Sequence, residues 1–187
     1  MEILKTRRDV APPAGTSVTF KEGISFNGLV YSLAGLSTPT SFSRSATAPP
    51  SGFTTKVASE SGSVPIYIWL DGTALLWYTE ARVTYLNQNA SGMFLSLSSA
   101  TSINLDGISS LKTSDMSAMF AGCESLRTIL VSDAFVTTSL TSSIGMFNDC
   151  SRLVGGAGTA YDYRHTDGTY ARIDNPPTAP GYFTEAT

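Results

Sequence analysis

"MFAGCESL", Met119–Leu126, returns 27 residues later as "MFNDCSRL", Met146–Leu153. Met, Phe, Cys and Leu keep their phases while every residue between them changes, so the constraint falls on packing rather than on chemistry. A third copy, "MFLSLSSATSI", starts 26 residues earlier at Met93 and carries Leu97 where the cysteines stand. Ala100 takes the place of Leu126 and Leu153 in that copy, and Ile103 that of Ile129.

Inside a copy, Met116, Met119, Phe120 and Cys123 fall at i, i+3, i+4 and i+7, and Leu140, Ile144 and Phe147 fall at i, i+4 and i+7 of the next. That is the spacing of one helix face. The period then shifts to two, at Ile103 and Leu105 and again at Ile129 and Val131. A helical turn followed by a short strand at this repeat length predicts a short solenoid of leucine-rich-repeat style with about three coils. Its expected core is Met93, Phe94, Leu97, Met116, Met119, Phe120, Cys123, Leu126, Ile129, Met146, Phe147, Cys150 and Leu153. The class expected is mainly β with short helical turns, α+β.

The flanks read as caps. "PIYIWLDGTALLWYTEARVTYL", Pro65–Leu86, is two apolar runs joined at Asp71-Gly72, a dipeptide that favours tight hairpins. After the third copy, "GGAGTAYDYRHTDGTYARIDNPPTAPGYFT" has the Gly, Pro and Asp of an irregular cap that ends in a short strand. Upstream, "TSVTFKEGISFNGLVYSL" alternates well enough for two short strands around Glu22-Gly23. Three segments are therefore expected: an extended arm over residues 1–15, a β-rich assembly or attachment region over 16–60, and a capped repeat domain over 61–187.

The motif MF-x-x-C-x-x-L, with "TSDMSAMF" leading into it at Thr113–Phe120, resembles the BspA-like leucine-rich-repeat family of bacterial surface proteins, also described as the lipoprotein-like repeat. "WYTEARVTYLNQNASGMF" is similar to the lead-in of such repeats, and the C-terminal tail to their ending. The resemblance spans about residues 60–187. It implies a binding or structural scaffold and supplies no catalytic residues.

Charged residues make up only 14% of the chain and the formal net charge is −3, so nothing attracts phosphate backbones or anionic lipid. Neither nucleic acid nor membrane insertion is expected. The uncharged stretches are broken by Ser, Asn, Gly and Pro and do not read as membrane spans. Lys5, Arg7 and Arg8 are not followed by an apolar run, so the start does not read as a signal peptide. If the chain is complete, it is expected not to use the secretory route.

Two cysteines and the single His165 are too few for a metal site. Cys123 and Cys150 share one phase and read as buried thiols, with a disulfide as the alternative. No cofactor is expected. His165 lies among Asp162, Arg164 and Asp167 and reads as a polar turn, with an acid/base site or a weak calcium loop as the alternatives. Trp69 and Trp77, across the hairpin, read as packing or else as an exposed platform for glycans or a partner.

The function expected is non-enzymatic: a structural or binding protein of a bacteriophage virion surface, homo-oligomeric. Its expected contacts are other virion or surface proteins through residues 1–60 and a host glycan or protein through the repeat domain. A bacterial cell-surface adhesin module and a glycan-active enzyme are the alternatives.

Overall fold

A computed structural model of the chain describes residues 15–35, 37–60 and 64–187. The arm expected over 1–15 lies outside the described residues except for Gly15. Strand β1, Ser17–Thr19, leads into helix α1, Gly23–Ala34, and strand β2, Ser41–Arg44. Then come β3, Thr55–Val57, the hairpin β4, Tyr67–Asp71, and β5, Ala74–Tyr78, and β6, Val83–Tyr85. The repeat region supplies β7, Ser102–Asn104, β8, Ile108–Ser109, and β9, Thr128–Val131. One turn of 3-10 helix at Gly168–Tyr170 precedes β10, Phe183–Glu185.

These strands form two sheets. One has three strands in the order β1-β6-β8, and the other seven in the order β10-β9-β7-β2-β5-β4-β3. In the larger sheet the register puts Phe183, Ile129, Ile103, Phe42 and Leu75 side by side across five strands. All five are buried. A single apolar row thus crosses the sheet, with each member contributed from a different part of the chain.

The expected leucine-rich-repeat solenoid of about three coils is not what forms. With one helix and two sheets among the described residues, the fold is β-rich and of α/β type. The strands after the first two copies, β7 and β9, enter one mixed sheet with the hairpin, and β2 stands between β5 and β7. The hairpin forms at Asp71, as its sequence predicts, with Gly72 at φ 58°. It extends that sheet rather than closing an end.

The Met-Phe segments are turns, not helices, and the fate of their backbone amides explains why. Met119, Ala121 and Cys123 donate three residues back, to the carbonyls of Met116, Ala118 and Phe120. Ala118, Phe120 and Gly122, in alternation with them, donate instead to Ile144, Met146 and Asn148 of the next copy. Half of the amides a helix would need are committed to the neighbouring segment. Two left-handed residues per copy set this path: Gly92 and Ser96, Ala118 and Gly122, Gly145 and Asp149, all with φ between 53° and 73°. Ile144, expected on the buried face, is turned outward and 80% exposed. Its carbonyl accepts the amide of Ala118.

The strands expected on both sides of Glu22-Gly23 are also corrected: β1 precedes that point, but α1 follows it. The helix buries Gly23, Phe26, Asn27 and Val30, an i, i+3, i+4, i+7 face whose polar member conceals it from an apolar count. Gly23 is required here, because a Cβ would run into the backbone of Ala90 and Ser91. Phe20, Phe26, Val30 and Phe42 belong to the same core as the repeat residues. The boundary near residue 60 therefore does not divide two cores.

Candidate functional site

Each side chain expected in the repeat core is buried. Phe94, Phe120 and Phe147 lie in one column, each ring 5.6 Å from the next and within 5° of parallel. The column ends on Phe26 of α1, 5.8 Å from Phe94, and on Tyr182, 5.1 Å from Phe147, both edge to face. The cysteines are free thiols. Cys123 Sγ donates to the Phe94 carbonyl and Cys150 Sγ to the Phe120 carbonyl, each at 3.1 Å. Burial pushes the Cys123 thiol up to about 12 and raises Cys150 as well. Neither is poised as a nucleophile.

The polar groups near the C-terminus are equally occupied. Arg164 binds both carboxylate oxygens of Asp162, and the side-chain bond from Arg164 is the main cause that brings Asp162 down to about 2. Asp167 caps the 3-10 turn through the Thr169 amide at 2.9 Å. His165 stacks on Tyr170 with ring centroids 4.3 Å apart. No group of three or more His, Cys, Asp or Glu among the described residues is placed to hold a metal ion, and no described helix is long and apolar enough to cross a membrane.

Asp174, which the sequence did not single out, is the one buried carboxylate among the described residues. It is 7% exposed and accepts from the amides of Ala157, Thr159 and Gly181 and from the Thr159 hydroxyl. Burial pushes its pKa up, but the bonds from Thr159, Gly181 and Ala157 outweigh it and leave the group below the usual carboxylate range. The cluster ties the loop after Gly155 to the start of β10.

Trp69 and Trp77 do not offer an exposed platform. They are 2% and 0% exposed, and the register pairs Trp69 with Leu76 but Trp77 with Ile68. The two indoles therefore point to opposite faces of the sheet. Trp77 lies in the core beside Phe20 and Phe42.

The main surface hollows among the described residues that lie against the larger sheet are just beyond the paired ends of β2 and β5. Arg44 is in register with Trp77, and the Ser45 amide continues the ladder to the Trp77 carbonyl at 2.8 Å. The chain then turns: Ser45 Oγ donates to the Thr47 carbonyl at 2.8 Å and accepts the Thr47 amide at 3.2 Å. Pro49 and Pro50 stiffen the next few residues.

Two adjoining hollows result. One, of about 410 Å³, is walled by residues 46–51, Tyr78 and Glu80. The other, of about 350 Å³, is formed by Arg44, Ser45, Ala46 and Tyr78, so that Ala46 and Tyr78 border both. The Arg44 guanidinium carbon is 5.1 Å from the centre of the Trp77 ring, a cation–π contact that holds the group in place. The one ion pair among the described residues is Arg164–Asp162; Arg44 is exposed and forms none.

No local pattern in the sequence marks these hollows, because residues 44–51 and 78–80 come together only through the parallel pairing of β2 with β5. Compared with known proteins, the chain matches no family model, no curated protein and no solved structure, which neither supports nor refutes the resemblance to the BspA-like family.

Proposed function

We propose that this chain is a non-enzymatic structural and binding protein displayed on a surface, with a bacteriophage virion as the setting and self-association through its N-terminal residues. The observation that carries the reading is where the reactive groups go. Both thiols are engaged by backbone carbonyls of the preceding copy, Asp174 by four loop donors, and Asp162 by Arg164. They stiffen a framework, whereas Arg44, Tyr78 and Glu80 stand at its surface around open hollows. A rigid scaffold with polar groups held in place at its surface suits recognition.

Light scattering tests the assembly half of the reading. The full chain should run as a trimer or larger oligomer, and a chain starting at Gly15, which keeps every described residue of the hydrophobic core, should run as a monomer. Two monomers, with no attachment of the full chain to any larger particle from its source, would sink it.

A further inference from the structure

We infer that the hollow walled by residues 46–51, Tyr78 and Glu80 is the seat of this chain's own N-terminal segment, residues 9–14. The first argument is where that segment joins the described structure. The Thr16 carbonyl accepts the amides of Arg82 and Val83 at 3.1 and 3.3 Å, so Gly15 lies beside the chain that follows Glu80. Only Ala81 separates Glu80 from Arg82, which puts the near wall of the hollow within about 15 Å of Gly15, and six extended residues span about 20 Å. The parallel pairing of β1 with β6, Ser17 with Val83, carried upstream, heads the segment past Ala81 and Glu80 towards Tyr78.

A second observation lies at the root of the segment. The Thr16 hydroxyl is buried with no partner among the described residues, an unfavourable state that a chain held against the body at this point relieves and one projecting into solvent does not. The hollow also suits the segment chemically. Tyr78 alternates with Trp77 along β5 and so lies on the opposite face of the sheet from Trp77 and Arg44. Pro12-Pro13 presets an extended backbone, and an aromatic ring beside apolar walls, here Ala46, Ala48 and Pro49, is what receives such segments. Glu80 is the charged residue of the hollow and forms no ion pair among the described residues; Arg7 and Arg8, next along the chain, bring the opposite sign. Tethering this close gives the chain's own segment an effective concentration on the order of 1 mM, which a second copy in dilute solution does not match.

The inference rests on the self-association reading only for residues 1–6, the part left to reach a neighbouring copy, and the two fail separately. A nitroxide on Thr6→Cys in the full chain, just outside the seat, is the test, because Cys123 and Cys150 are buried and take no label. Amides of residues 46–48, Ser51, Tyr78 and Glu80 should broaden selectively. Those of β9 and β10, at the other end of the sheet, should stay sharp. Pro12→Gly together with Pro13→Gly should lower the ratio of seated to released segment at least ~3-fold, read as weaker broadening at the same amides.

Broadening spread evenly over the surface, confined to other residues, or unchanged by the glycine pair would overturn the inference. Spin-labelled chains mixed with isotope-enriched chains that carry no spin label should leave the hollow of the enriched chains sharp. Broadening there would put a neighbour's segment in the hollow and overturn the seat within one chain. Selective broadening in a full chain that light scattering finds monomeric would leave the seat standing and remove the assembly reading. An oligomer with no broadening at the hollow would do the reverse.

Discussion

Among single residues, the cysteines show most clearly how the repeat works. Each thiol sits where its S–H can reach a carbonyl one copy back, at Phe94 or Phe120. The first copy has no earlier copy behind it. Its neighbour is α1, from which Asn27 Nδ2 donates to the Leu95 carbonyl at 3.0 Å and the Tyr31 hydroxyl to the Ser96 carbonyl at 2.9 Å. Leu97 thus stands at the one copy that has no preceding copy to offer a carbonyl to a thiol. With both thiols buried and their pKa values raised, neither should react with an aromatic disulfide reagent at mildly alkaline pH in the native protein. Labelling should follow global unfolding as denaturant is added, and fast labelling of the native protein would contradict the packing described. Ala118 offers a second test. Its φ of 53° costs a non-glycine residue about 1–2 kcal/mol, of which glycine's greater freedom in the unfolded chain returns about 0.5–1 kcal/mol. Ala118→Gly should thus stabilise by up to about 1 kcal/mol, read as a higher urea midpoint at unchanged slope.

Among elements, the outcome depends on which spacings have two physical meanings. Met116, Met119, Phe120 and Cys123 are spaced like a helix face, yet two successive turns, each ended by a left-handed residue, bury the same positions. The signal that separates the cases was present at Gly92, Gly122 and Gly145, which recur just before Met or just before Cys, but Ala118, Ser96 and Asp149 take the complementary positions and hide the rule. The same ambiguity ran the other way after Glu22-Gly23, where alternation suggested a strand and Asn27 completed the face of α1. The hairpin was readable because Asp71-Gly72 and its flanking runs encode a local structure. The loop from Gly155 to Gly181 was not, since it depends on one distant carboxylate. Asp174→Asn would leave an amide where four donors converge and should cost about 2 kcal/mol at neutral pH. The native carboxyl titrates below its unfolded value of about 3.9, so its contribution is present above that pH and is lost as pH falls through the lower folded value. Thermal melts of the two proteins should therefore converge in acid; a constant gap down to the lowest pH would mean that the charge on Asp174 contributes nothing.

At the scale of the whole molecule, one core runs from Phe20 and Trp77 through the phenylalanine column to Tyr182 and Phe183. A chain beginning at Ser61 would lack Phe20, Phe26 and Phe42, and with them the edge-to-face cover of Phe94. It should not give a cooperative thermal transition, because losing even one buried phenylalanine typically costs about 3–5 kcal/mol. A sharp melt and dispersed amide spectrum from that fragment would show that the repeat region folds alone. Sequence reading located the repeats and the hairpin but not this union. Pairings such as Phe42 with both Leu75 and Ile103 join segments that no local pattern connects.

The place of β2 has a further consequence during synthesis. Residues 41–44 leave the ribosome early, but their two partners, Ala74–Tyr78 and Ser102–Asn104, emerge only after dozens more residues have been made. Until then Phe42 and both edges of the strand have nothing native to pair with, and such edges invite other chains. Nascent chains arrested before Asn104 should therefore be the ones that bind chaperones and aggregate, and release should coincide with the moment β7 closes the second edge.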